Sequence, residues 1–129
     1  MKKLLFVYNA DSGKWNAYLD MAHKIFSPST YPCSLCDITY GIFKIRPEWD
    51  EFIQNTSIPF EFLHKDEFLT AYPNSTFRDF PFILAVDETE ALSMFLPAEQ
   101  LNEYKTVEAL KQAIKKNPTI QPFFKKKLL

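Results

Sequence analysis

Apolar positions in this chain fall into short blocks, and the blocks alternate between near-continuous runs and helical spacing. Lys3 to Tyr8 (KLLFVY) is an almost unbroken apolar run rich in β-favouring residues. Such a run suits a strand covered on both faces, as in the middle of a sheet with helices on either side. Beyond it Asp11 or Ser12 offers an N-cap, and Trp15, Tyr18, Leu19, Ala22 and Phe26 recur at helical spacing until Ser27-Pro28. That pattern predicts an amphipathic helix whose apolar stripe faces the sheet. Ser27 to Tyr40 (SPSTYPCSLCDITY) shows no clean period; Pro28 and Pro32 bracket its first half, and Gly41 closes it.

Helical spacing returns at Pro47, which fits the first position of a helix, with Glu48, Asp50 and Glu51 favouring its positive end. Trp49, Phe52 and Ile53 form its apolar face, and the pattern ends near Asn55. Ile58 to His64 is a second, Phe-rich strand, and Asp66 is expected to cap a brief helix with Phe68, Leu69 and Tyr72 before Pro73. Asn74 to Asp79 is a polar loop. Pro81 introduces a third strand, Phe82 to Val86, which turns through Asp87-Glu88-Thr89-Glu90 into a fourth, Ala91 to Leu96. Thr106 caps a last helix with Val107, Leu110 and Ile114 on one face and Lys111, Lys115 and Lys116 toward its negative end, before Asn117-Pro118. The predicted order is β-α-(cysteine segment, α)-β-α-β-β-α. Strands joined through helices should be parallel and the final hairpin antiparallel, in a four-stranded mixed sheet. The core should include Leu5, Val7, Phe62, Ile83, Leu84 and Leu110.

Composition narrows the function classes. The 129 residues suit one domain spanning 1–129, with 47% hydrophobic content. A net charge of −1 provides no basic field for a phosphate backbone, so nucleic acid is not an expected partner. Only Gly13 and Gly41 occur, and phosphate-cradling loops depend on glycine. Gly13-Lys14 superficially resembles a P-loop, but Tyr8 stands where its first glycine belongs and Trp15 replaces its Ser/Thr. No cofactor is expected. Met1-Lys2-Lys3 and the apolar run after it resemble the start of a signal peptide, yet the run stops at Asn9, short of an h-region of roughly 7–15 residues. No run reaches the ~18 apolar residues of a bilayer span, so the expected location is cytoplasmic with no membrane attachment. The C-terminal Phe123-Phe124-Lys125-Lys126-Lys127-Leu128-Leu129 is amphipathic, but one short basic run is marginal for stable attachment, and a loosely docked end is the expectation.

The candidate chemistry gathers on Cys33 and Cys36, the only two cysteines, in a C-x-x-C spacing. In a reducing compartment a structural disulfide is disfavoured, which leaves three readings. The pair is a reversible dithiol, since the spacing lets one sulfur resolve a mixed disulfide formed by the other. It supplies two thiolates to a zinc site, with His23 and His64 completing the arithmetic of a Cys2His2 set in a non-enzymatic binding module. Or it is two buried free thiols packed as small apolar groups. As a dithiol, Cys33 is the expected attacking thiol, being nearer the Pro32 turn and farther from the Asp37 carboxylate. Ser29 or Thr30 would cap the turn that presents it.

The element order, with Pro81 opening the third strand, is similar to that of the thioredoxin and glutaredoxin superfamily. The resemblance covers most of the chain as topology and implies a thioredoxin-like fold, thiol–disulfide chemistry at Cys33 and Cys36, and a thiol or protein-disulfide substrate docking beside Pro81. In that superfamily the cysteine pair follows the first strand directly; here Asp11 to Lys14 take that place and the pair lies in a segment inserted one helix later. YNADSG (residues 8–13) together with YPCSLC (31–36) also resembles a small bacterial family of uncharacterised proteins, which implies no activity.

Overall fold

A computed structural model describes residues 1–13, 19, 22, 33–40, 45–118 and 120. Four strands, β1 (Lys3–Val7), β2 (Phe60–Leu63), β3 (Phe82–Val86) and β4 (Leu92–Leu96), form one mixed sheet in the order β2-β1-β3-β4. β1 runs parallel to β2, with Val7 opposite Leu63, and antiparallel to β3, with Val7 opposite Phe82. β3 and β4 form the antiparallel hairpin expected from the Asp87–Glu90 turn, where Asp87 Oδ1 accepts from the Thr89 and Ala91 N–H groups. The first strand is therefore interior, and Leu4, Leu5, Phe6 and Val7 all have no exposed surface. An unbroken apolar run encodes this because alternate side chains enter opposite layers.

Five helices are described: α1 (Ser34–Thr39), α2 (Pro47–Gln54), α3 (Lys65–Ala71), α4 (Ala98–Leu101) and α5 (Val107–Lys116). On one face Leu4, Phe6 and Tyr8 pack with Leu35 and Ile38 of α1, Trp49 and Phe52 of α2, and Leu110 and Ile114 of α5. On the other, Leu5 and Val7 pack with Phe68 of α3 and with Phe82, Leu84 and Val86. Of the expected core, Leu5, Val7, Ile83, Leu84 and Leu110 are fully buried, whereas Phe62 is only partly covered because β2 is an edge strand. α5 begins as its sequence implies, with Thr106 Oγ1 accepting from the Ala109 N–H at 3.1 Å.

Three expectations need correction. Of the helix predicted after β1, Leu19 and Ala22 are described and helical, but Leu19 is 53% exposed and so does not belong to a buried stripe. Trp15, Tyr18, Phe26 and the Ser27-Pro28 stop lie outside the described residues. The cap of α3 is His64 rather than Asp66: Glu67 Oε1 accepts from the His64 backbone N–H at 2.7 Å and lies 2.8 Å from its Nδ1. The single turn α4, behind Pro97, was not expected; four residues are too few to show a helical period.

Asp66 instead ties the loop after β1 to α3. Its carboxylate accepts from the Ser12 hydroxyl at 2.7 Å and the Ser12 N–H at 3.0 Å. The Ser12 side chain, followed by the Ser12 backbone, holds the Asp66 carboxyl below its ordinary value of 3.8. A lowered folded value stabilises the protein above the ordinary value and is lost as pH falls below it. Asp66→Asn is expected to cost about 1 kcal/mol at neutral pH, the scale of one hydrogen bond to a charged group at a partly exposed site. In urea unfolding the difference from wild type should vanish as the pH is taken below 3.8; an unchanged gap in acid would show that charge is not what ties the loop.

Candidate functional site at the carboxyl end of β1

Cys33 precedes α1 as its N-cap, in extended conformation, and Cys36 lies one turn in. The N-cap is the Cys33 sulfur itself, accepting from the Cys36 N–H at 3.2 Å; Ser29 and Thr30 lie outside the described residues. The two cysteines are joined as a disulfide, with Cα atoms 5.3 Å apart, inside the range a bridge spans without backbone movement. A second donor reaches the same sulfur from the sheet: the Asn9 N–H points at Cys33 Sγ at 3.3 Å. Asn9 lies two residues past the end of β1, so the cysteine pair is held at the carboxyl end of the central strand, 24 positions away in sequence.

The strand registers bring other residues to the same edge. β2 is parallel to β1, so its carboxyl end lies beside that of β1; the Tyr8 N–H donates to Leu63 O at 3.0 Å, and the His64 ring centroid lies 6.0 Å from that of Tyr8. β3 is antiparallel, so its first residues are here too. With Phe82 opposite Val7, buried Pro81, which follows a cis Phe80-Pro81 peptide bond, stands next to the Tyr8 level. Cys33, Cys36, Pro81 and His64 thus converge on one edge of the sheet. His23 lies outside the described residues.

Tyr8, Asn9 and Tyr40 belong to this edge and were not singled out from the sequence. Tyr8 is 7% exposed and shares a core cluster with both cysteines. Its ring meets that of Tyr40 edge-on at 6.1 Å, and the Tyr40 N–H donates to Cys36 O at 3.0 Å. Burial, then the Tyr40 side chain, pushes the Tyr8 phenol far above its ordinary value of 10.0. The available signal was position: Tyr8-Asn9 is where the first apolar run meets the polar loop, the place where sites form in open α/β sheets.

The chain past α1 is fastened as well. Arg46 donates from its backbone to Thr39 O at 2.9 Å and from Nη2 to Asp37 O at 3.1 Å, and Tyr40 and Ile45 form an isolated antiparallel bridge. Asp37, beside Cys36, is exposed.

The other two readings of the cysteines fit less well. Both sulfurs are bonded, so the pair is not two packed free thiols here. A bonded pair presents no thiolate to a metal. Among the described residues no three His, Cys, Asp or Glu side chains gather as a ligand set, and His64 is engaged by Glu67. A cleft of about 520 Å³ lined by Tyr72, Asn74, Thr76, Phe77 and Glu90 contains neither cysteine. Glu90 and Leu92 border it, and Leu92 pairs with Val86, which faces Lys3 at the opposite edge of the sheet.

Comparison of the chain with protein-family models, with characterised proteins and with solved structures finds no match. Among the described residues, no helix is long and apolar enough to cross a membrane.

Proposed function

We propose that this chain is a thioredoxin-like thiol–disulfide oxidoreductase of the cytoplasm, with Cys33 and Cys36 as its reversible dithiol. The observation that carries the reading is the bond from the Asn9 N–H to Cys33 Sγ. It sets the pair at the carboxyl end of β1, beside the start of β3 and Pro81, although a long insertion separates pair and strand in sequence. The strand order β2-β1-β3-β4, with β3 and β4 antiparallel to their neighbours, supports the same reading. So does the edge that Pro81 opens, where an extended thiol or disulfide substrate would dock. In a reducing compartment a bonded pair at a strand end serves exchange better than architecture.

Equilibration in glutathione buffers, read by alkylation of free thiols, tests it. A reversible two-electron transition near the cytosolic poise of about −220 to −320 mV is expected. A pair that stays oxidised, or stays reduced, at every glutathione ratio would leave a scaffold without this chemistry. The runner-up, a structural zinc module, predicts close to one zinc per chain in protein purified without chelator, because such sites bind tightly and contribute to folding.

A further inference from the structure

β1 stops pairing at a definite point, and the next backbone donor goes to sulfur. The Tyr8 N–H still donates to Leu63 O on β2, while the last β1–β3 pair is Val7 with Phe82. Asn9 lies one residue beyond Tyr8, and its N–H donates to Cys33 Sγ at 3.3 Å. The Cys36 N–H reaches the same sulfur at 3.2 Å from the first turn of α1. Cys33 has no exposed surface. Burial by itself disfavours a thiolate, because water no longer solvates the charge. Hydrogen bonds to the charged form oppose that penalty, and donors already held in place do so without reorganisation. The Asn9 donor is held by the sheet rather than by the helix that carries the pair. On one side of it Tyr8 is bonded to β2, and on the other Ala10 O accepts from the Lys65 N–H at 3.0 Å.

We infer that the Asn9 backbone N–H stabilises the Cys33 thiolate once the pair is reduced, and so sets the acidity of that thiol. The inference rests on the exchange chemistry proposed above. Reduction by two glutathione thiols breaks the Cys33–Cys36 bond, forms one glutathione disulfide and gives the protein two electrons. The two glutathione protons go to the cysteines, and Cys33 releases its own to solvent on ionising. The charge on its sulfur then lies against the Asn9 N–H, in the thiolate form that attacks a disulfide. The other ionisable groups of this edge are Tyr8, Tyr40, the exposed Asp37, His64 with Glu67, and Arg46, whose guanidinium donates to Asp37 O. Unlike these side chains, a backbone N–H has no charge to gain or lose, so its contribution is the same at every pH. The donor belongs to the backbone, and the side chain at position 9 does not enter.

The test uses the full chain carrying Cys36→Ser, which leaves Cys33 as the one thiol and keeps the backbone donor of position 36. In it Asn9 is exchanged for its α-hydroxy acid counterpart, an ester linkage that removes the N–H and keeps the side chain. The thiolate ultraviolet absorbance should then show Cys33 to be a weaker acid by at least about tenfold, the scale of one hydrogen bond to a charged group. Asn9→Ala keeps the N–H and should leave the acidity within about twofold. The reduced wild-type chain gives a second measure that needs no variant. Its Asn9 amide proton resonance should move downfield together with the ionisation of the Cys33 side chain, read from the carbon resonances of that residue. Unchanged acidity in the ester chain, an equal shift in Asn9→Ala, or an amide resonance that stays put as Cys33 ionises overturns the assignment and leaves the dithiol reading standing. Wild-type protein that glutathione leaves oxidised at every ratio overturns both.

Discussion

Phe6→Ala should lower the unfolding free energy by about 3–5 kcal/mol, the usual range for deleting a fully buried aromatic ring. Phe6 has no exposed surface and lies on the central strand. Its ring centroid is 4.8 Å from those of Phe60 and Phe62 and 5.7 Å from that of Trp49, edge-on. Removing it leaves a void between sheet and helices and ends three aromatic contacts, each worth about 0.5–1.5 kcal/mol beyond area burial. Against a total stability on the order of 5–15 kcal/mol, a marginal protein would be left partly unfolded. Phe62→Ala is the control: its side chain is only partly buried, on an edge strand, and should cost roughly half as much or less. Denaturant midpoints decide the matter, and equal losses for the two variants would place the packing centre elsewhere. Because Phe6 faces the same layer as Cys33 and Cys36, the variant should also expose the disulfide to faster reduction.

The second large effect is alkaline. A phenol whose folded value lies above its unfolded one keeps the native state protonated while the unfolded state ionises. Stability contributed by Tyr8 is then intact below the ordinary value of 10.0 and declines as pH rises beyond it. The slope for one proton is about 1.4 kcal/mol per pH unit, so wild type should lose roughly 3 kcal/mol relative to Tyr8→Phe by about pH 12. At neutral pH the same substitution should change stability by less than about 1 kcal/mol, because the hydroxyl makes no hydrogen bond of ordinary geometry among the described residues. Urea midpoints for both proteins at several alkaline pH values check this; parallel profiles would mean that the ring reaches solvent before it ionises.

The strands were legible because each is announced by a local signal that tertiary structure did not override. KLLFV, FEFL and FILAV are apolar or β-favouring, and the Asp87 turn separates β3 from β4. The helices at Pro47 and Thr106 were legible for a similar reason, each having a start signal followed by a 3.6-residue stripe. The His64 cap was less so, because histidine is a poor capping residue; Glu67, three positions on, was the usable clue. The convergence of the site could not be read. Cys33 meets Asn9 across 24 residues, a contact that depends on the path of the intervening chain rather than on either local sequence.

The placement of β1 between β2 and β3 has a consequence for the chain while it is being made. Lys3 pairs with Val86, and Leu4 pairs with Phe60. During synthesis the apolar run Leu4–Val7 therefore emerges long before either neighbour exists. At about 5–20 residues per second, the roughly 80 positions from β1 to the end of β3 take about 4–16 s to add. For that interval four adjacent side chains, destined for two opposite layers of the core, lack β3 as a neighbour, and until Leu63 has been added they lack β2 as well. The central strand gains its neighbours on both sides only once residue 86 has been added.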